Sequence, residues 1–176
     1  MTMRTHTIMM SSIGDLTLVN TNGMLSGLYT SGHKRGPRRS VLGDRVSSGF
    51  EQAIQELNDY FSGTRTEFTV PIAVQGNSFQ RRVWALVKEI PFGETRSYGD
   101  LAEDLGDPTL AREVGAANAG NPICIIVPCH RVVGRDGSLT GYAGGLHRKR
   151  YLLDHEMSVA GRAPALFQYP IYDPQP

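Results

Sequence analysis

The sequence predicts an α/β fold of the α+β kind: a small antiparallel sheet with one helix, then a helical unit with a helix-turn-helix. Three observations predict it. Short β-type runs separated by tight turns fill the stretch up to Tyr29. Apolar residues at helical spacing dominate most of the remaining chain, and two short helical segments meet around Gly106-Asp107-Pro108. An apolar run from Ile123 to Val127, stopped by Pro128, then leads into a Cys-His-Arg tripeptide.

Thr5 to Met9 and Leu16 to Val19 flank a Ser-Ile-Gly-Asp turn, and Asn22-Gly23 turns the chain into a third run, Met24 to Tyr29. Asn-Gly supplies the positive φ angles that a tight hairpin needs, so a meander is expected. Ser31 to Ser48 is rich in Gly, Arg and Ser without periodicity, and is expected to form an exposed, mobile loop. Phe50, Ala53, Ile54, Leu57, Tyr60 and Phe61 form a helical stripe that ends at Gly63. Phe68 to Val74 reads as a further strand broken by Pro71, and Gln75-Gly76-Asn77 as a domain boundary. The expected division is 1–76, 77–157 and a loosely held tail, 158–176.

In the second unit Phe79, Val83, Leu86, Val87 and Ile90 mark a helix closed by Pro91 and Gly93, with Trp84 expected in the core. Ser97 caps the next helix, and Asp100 stands three residues on in capping-box position. Asp107 and Pro108 supply a cap and a first-turn proline for another helix reaching about Ala119. Ala111, Gly115, Ala116, Ala117, Ala119 and Gly120 make that helix unusually slim. It suits either tight core packing or close approach to another backbone. Arg112 is the one large cation on that face. Val132-Val133 and Leu139-Thr140 around Asp136-Gly137 read as a hairpin, Gly141 to Gly145 as a flexible loop, and Leu146 to Met157 as a last helix.

At 176 residues, with 40% apolar and 20% charged content, the chain can bury a substantial core. The longest apolar runs fall far short of a membrane span and no signal peptide opens the chain, so a cytoplasmic location is expected. Net charge is only +1, so nucleic-acid binding has to be argued from motifs. Basic clusters such as Arg148-Lys149-Arg150 are read as solvated faces. No Cys/His spacing matches a zinc site, and the two cysteines make no disulfide framework.

Ile123 to Val127 reads as a buried strand, with Cys124 a small hydrophobe inside it. Cys129 is different. It follows Pro128 and precedes His130 and Arg131, where a thiolate could be favoured by an adjacent base. The local pattern alone leaves reactivity and simple packing equally open.

The ordered set resolves this. Pro128-Cys129-His130-Arg131, Gly120-Asn121-Pro122, Arg112 with Val114-Gly115, Ser97-Tyr98, and Gly141-Tyr142 through Gly145 together resemble the O6-alkylguanine-DNA alkyltransferases. The resemblance is close from Phe79 to Glu156 and extends to the N-terminal part in layout only. It implies an RNase H-like layout for the N-terminal unit and a winged-helix-like DNA-binding motif for the second. The implied activity is direct repair of O6-alkylguanine, and of O4-alkylthymine. The base is flipped from the duplex and its alkyl group is transferred irreversibly to the protein, without metal or organic cofactor.

By the same resemblance, Cys129 is the alkyl acceptor, His130 its base through a bridging water, and Glu156 the carboxylate that orients His130. Asn121 is the hinge between recognition helix and nucleophile. Tyr98 rotates the 3′ phosphate and is the proposed proton donor. Arg112 replaces the flipped base, and Ala111, Gly115, Ala119 and Arg131 join Tyr98 in contacting DNA. Tyr142, Ala143, Gly144 and Val132 line the guanine pocket. The implied partner is double-stranded DNA, bound through the minor groove by a monomer, with cooperative binding left open. Glu113 beside Arg112 and Ala143 in the pocket loop depart from the family pattern. Three rivals stand: a non-catalytic alkylated-DNA binder that recruits excision repair, which would lack the acceptor cysteine; a helix-turn-helix regulator, which would need a more polar recognition helix; and a cysteine hydrolase using Cys129 and His130, whose nucleophile and base are usually distant in sequence.

Overall fold

A computed structural model describes residues 1–162. Three strands form the expected meander: β1 (Arg4–Met9), β2 (Leu16–Thr21) and β3 (Met24–Thr30), each antiparallel to its neighbour. The β2–β3 turn is built by Asn22 at φ 51° and Gly23 at φ 83°, the paired left-handed residues of a type I′ turn. A fourth strand, β4 (Asp44–Arg45), lies parallel to β1, giving the order β3-β2-β1-β4.

That strand corrects the expectation for residues 31–48, which also hold a single-turn 3₁₀ helix at Arg39–Val41. Gly43 makes the return possible. A Cβ there would sit 1.8 Å from the Arg4 carbonyl oxygen, and its φ is 76°. The periodicity rules missed β4 because two charged, exposed residues carry no apolar alternation.

Helix α1 (Glu51–Phe61) buries Ala53, Leu57 and Tyr60, as its spacing predicts. Phe68 to Val74 is not a strand. It makes one parallel bridge, Ile72 to Leu25, and is tied instead to α1 by Glu56, whose carboxylate accepts the backbone N–H groups of Thr69 and Val70 at 2.9 and 3.1 Å.

Helix α2 (Ser78–Lys88) starts at an Asn77–Gln80 capping box and buries Val83, Trp84 and Val87. Trp84 is a core residue whose indole N–H donates to the Ala117 carbonyl at 2.8 Å. A short strand β5 (Arg96–Ser97) leads into α3 (Tyr98–Asp104), where the predicted Ser97–Asp100 capping box is present. After the turn at Gly106, Asp107 caps a 3₁₀ turn at Pro108–Leu110, which runs on into α4 (Ala111–Ala119). The 3₁₀ turn Cys129–Arg131, strand β6 (Val132–Val133) and helix α5 (Leu146–Val159) complete the described chain.

One further expectation fails here. Val132-Val133 pairs in parallel with Arg96-Ser97, not with Leu139-Thr140. The Asp136-Gly137 turn exists, closed by the Gly134 N–H to the Ser138 carbonyl at 2.9 Å, but Leu139-Thr140 forms no strand. The expected tail from 158 begins inside α5, and from residue 163 it lies outside the described residues.

Candidate active site

The segment before the cysteine is not a strand but a buried turn. Ile123 makes one bridge to Leu28. The chain then folds on itself, with the Val127 N–H on the Ile123 carbonyl at 3.0 Å and the Ile126 N–H on the Cys124 carbonyl at 2.8 Å. Ile125 sits at φ 70°, a conformation that a β-branched residue adopts only when its surroundings impose it. Asn121 imposes it. Its amide donates to the carbonyls of Ile123 and Val127 at 3.3 and 2.8 Å and accepts the Ile123 N–H at 3.0 Å. A side chain thus does the work of a neighbouring strand.

Cys129, His130 and Arg131 occupy one 3₁₀ turn and all three are buried. His130 is fully enclosed, and its Nε2 lies 2.7 Å from Glu156 Oε1. A carboxylate can only accept, so Nε2 carries the proton and Nδ1 is the basic nitrogen. Nδ1 is buried without a partner in the protein. Burial lowers the His130 pKa against the opposing pull of Glu156, which keeps the ring neutral and able to take a proton.

Glu156, also fully buried, receives five hydrogen bonds. They come from Tyr60 Oη at 2.8 Å, His130 Nε2 at 2.7 Å, the Gly93 N–H at 3.1 Å, and Arg131 Nε and Nη2 at 2.8 and 2.9 Å. Burial alone would raise its carboxyl, but His130 and the bidentate Arg131 hold it well below the ordinary carboxylate range. With His130 neutral, Arg131 is the permanent countercharge. Arg131 is therefore no DNA contact: it is buried, paired with Glu156 and donating to the Ile90 carbonyl at 2.6 Å.

The Cys129 thiol is held below its ordinary value. The Cys124 thiol beside it contributes most, burial opposes, and the Asn121 amide and the Lys149 charge assist. Lys149 and Asn118 are buried polar residues of this site that sequence reasoning missed. Lys149 is fully buried, donates to the carbonyls of Val132 and Thr140, and holds its ammonium 5.7 Å from the Tyr98 ring centre. Burial brings its pKa down to about 8. Asn118 Nδ2 donates to the Cys129 carbonyl at 3.1 Å. Helical phase could have found both: Lys149 lies three residues after Leu146 and seven before Glu156, and Asn118 lies four after Val114.

Tyr98 packs against Lys149. Its hydroxyl donates to the Thr140 carbonyl at 2.8 Å; burial pushes its pKa up to about 12, so the phenol keeps its proton. Tyr142 is buried with no partner for its hydroxyl. Gly144 is buried and Ala143 half-buried. Their carbonyls, and that of Val132, are already engaged by Arg148, the Lys34 N–H and Lys149 respectively. The loop is therefore less open to a ligand than its glycines suggest. On α4, Ala111, Gly115 and Ala119 lie half-exposed along one line, with Arg112 exposed beside them. Arg112 pairs with no carboxylate among the described residues, Glu113 included.

Fold and site define a class of protein: a buried cysteine of lowered pKa, next in sequence to a buried histidine held by a carboxylate, in a chain that carries a helix-turn-helix. Comparison gives the family. Residues 5–74 match the ribonuclease-like domain of 6-O-methylguanine DNA methyltransferase, and residues 78–158 match its DNA-binding domain. The methylated-DNA–protein-cysteine methyltransferase of Mycobacterium tuberculosis is 48% identical over 155 residues, covering 88% of this chain and 92% of that protein. The inducible enzyme of that name from Bacillus subtilis is 42% identical over 147 residues, covering 83% of this chain and 81% of its own. The crystal structure of M. tuberculosis O6-methylguanine methyltransferase superposes with a TM-score of 0.83 at 47% identity, covering 93% of this chain and 96% of that one. M. tuberculosis OGT in complex with DNA does so at 0.83 and 44%, covering 94% and 99%. The chain belongs to the 6-O-methylguanine DNA methyltransferase family.

Proposed function

We propose that this chain is a methylated-DNA–protein-cysteine methyltransferase that repairs O6-alkylguanine in double-stranded DNA. It transfers the alkyl group once, irreversibly, to Cys129. One observation carries the assignment of roles: His130 is fixed by Glu156 as the Nε2–H tautomer, leaving Nδ1 unpaired and basic next to an enclosed thiol.

The chemistry follows from that polarity. The Cys129 proton passes to His130 Nδ1 through a bridging water, and Glu156 stabilises the imidazolium that results. The thiolate attacks the alkyl carbon in line, forming the S–C bond as the C–O6 bond breaks. The purine leaves with the bonding pair and is protonated, with the Tyr98 phenol as donor and Lys149 beside it to offset the charge left on oxygen. A thioether offers no leaving group, so the protein is consumed.

Because the reacting carbon lies within a stacked duplex, the base must be extruded at a cost of a few kcal/mol. The half-exposed line Ala111–Gly115–Ala119 lets α4 approach a narrow groove, Arg112 fills the vacated stack, and Tyr98 crowds the 3′ phosphate. Minor-groove binding as a monomer, action on O4-alkylthymine, a cytoplasmic site of action and a functional division near residue 77 belong to the same reading. Among the described residues no helix is long and apolar enough to cross a membrane.

Intact mass after incubation with duplex DNA containing O6-methylguanine tests the reading. A gain of one methyl per chain, mapped to Cys129 and abolished in Cys129→Ala, is the expected result. Tight binding with no mass gain would replace it with a damage-recognition role.

A further inference from the structure

Of the five hydrogen bonds that reach the Glu156 carboxylate, four come from residues 78–158: one from His130, one from the Gly93 N–H and two from Arg131. The fifth crosses from the part of the chain that matches the ribonuclease-like domain. Tyr60, on the last turn of α1, donates its hydroxyl to Glu156 Oε1 at 2.8 Å. That oxygen is the one His130 Nε2 touches at 2.7 Å.

The phenol is held from several sides. Tyr60 is fully buried, and the rings of Phe61, Phe68, Phe92 and His155 surround it with centres 5.2 to 6.0 Å away. Its backbone carbonyl accepts His155 Nε2–H at 2.7 Å and the Gly63 N–H at 3.0 Å. His155 precedes Glu156 on α5, so this helix grips Tyr60 at both its carbonyl and its hydroxyl.

We propose that Tyr60 is a positioning residue for alkyl transfer, supplied by the N-terminal part of the chain, whose hydroxyl shares Glu156 Oε1 with His130 and limits that oxygen's pull on the ring. The inference rests on the proposed function, in which His130 takes the Cys129 proton. An oxygen that accepts several donors disperses its charge among them and binds each less tightly. With Tyr60 in place, Oε1 fixes the Nε2–H tautomer without holding a charged imidazolium at rest, which would be no base. Once the Cys129 proton reaches Nδ1, Nε2 keeps its own hydrogen, because the same donors leave Glu156 a poor proton acceptor.

Tyr60 itself gives up no proton. Burial, then the charge of Glu156, push its pKa well above the ordinary phenol value. The other titratable groups around the pair are Cys129 and Arg131 on the His130 turn, Lys149, Tyr151 and His155 on α5, and Tyr142. Of these only Arg131 also donates to Glu156, and it is charged throughout. The Tyr60 hydroxyl is therefore the neutral donor that can be removed from Oε1 without changing any charge.

The test uses Tyr60→Phe, which keeps the ring and its packing and deletes only the hydroxyl. The His130 ring is titrated by NMR, its resonance assigned by its loss in His130→Gln, and the single-turnover rate of methyl transfer is followed against pH. In Tyr60→Phe the His130 midpoint should rise by roughly one unit, and the acid limb of the rate profile should move up with it. Tyr60→3-fluorotyrosine, a more acidic phenol of nearly the same shape, should lower both.

Unmoved midpoints in both variants would overturn the proposal, even with reduced urea stability, because the phenol would then be only a satisfied buried group. A midpoint that falls in Tyr60→Phe would overturn it too. If Tyr60→Phe fails to fold, the fluorotyrosine variant decides, and an unmoved His130 midpoint there sinks the idea. If the wild type takes up no methyl, the proposed function fails, and the His130 titration still decides whether Tyr60 limits the pull of Glu156.

Discussion

Replacing Glu156 by glutamine keeps the shape of the side chain and removes one charge. The result can be worked out from the five hydrogen bonds that converge on this carboxylate. Oε1 receives three of them and Oε2 two, so the amide nitrogen settles least badly in the Oε2 position. There it confronts the Gly93 N–H and Arg131 Nε–H, donor against donor. Each buried donor left unmatched costs about 1–3 kcal/mol, and a buried cation stripped of its partner about 3–5 kcal/mol. These overlap, because Arg131 appears in both, and the expected loss is about 4 kcal/mol. For a chain of this length that corresponds to a fall in Tm of roughly 8–16 °C.

Urea unfolding followed by the buried Trp84 measures the loss directly. The pH dependence supplies an independent check. A carboxyl held below its unfolded value contributes stability that is full above the unfolded pKa and lost as the pH falls towards the folded one. The wild type should therefore give up this contribution on acidification below about pH 4, while Glu156→Gln, having none to lose, should not. The gap between the two proteins narrows as the solution becomes acid. A loss under about 1 kcal/mol at neutral pH, the range of an ordinary exposed ion pair, or a gap that stays constant into acid, would refute the reasoning.

Arg112→Ala should leave urea stability unchanged within about 0.5 kcal/mol, because the side chain is exposed. It should slow repair in duplex DNA while sparing reaction with free O6-benzylguanine, and equal losses with both substrates would move Arg112 into the chemistry. Asn121→Ala strips the buried turn of partners for the Ile123 N–H and the Val127 carbonyl. We expect a loss of about 2–4 kcal/mol in urea midpoints, with transfer slowed as Cys129 shifts. Glu56 is held at about 2 by hydrogen bonds from Thr69, Gln52 and Val70, which outweigh its burial. Its stabilisation is present above the ordinary carboxylate pKa and is lost as the pH falls towards 2. Hydrogen exchange at Thr69 and Val70 should therefore rise over that interval before it does elsewhere.

How much of this was legible in the sequence depends on where each signal lay. The Asn22-Gly23 turn and the Ser97–Asp100 capping box are local, so both were readable. The run Ile123 to Val127 was readable as buried but not as a turn. An apolar segment packed on every side has no alternation to distinguish the two, and what decides it is the Asn121 side chain, used here in place of a ladder. Arg131 was misread for a related reason. Its partner Glu156 is 25 residues away, and beside a reactive cysteine in a DNA-repair motif a cation suggests phosphate. Lys149 was hidden among Arg148 and Arg150, a triplet that looks solvated until the helical phase of α5 is counted.

The 3₁₀ turn that carries Cys129 has one more consequence. With three residues per turn, consecutive side chains leave the axis about 120° apart, so Cys129, His130 and Arg131 diverge like the legs of a tripod. One leg carries the thiol, while the other two stand on the same carboxylate. The sulfur therefore has no independent adjustment, because moving it by one residue would pull imidazole and guanidinium off Glu156 together. Under the proposed function, variation in lesion preference is left to the loop residues Tyr142, Ala143 and Gly144, while the sulfur stays fixed.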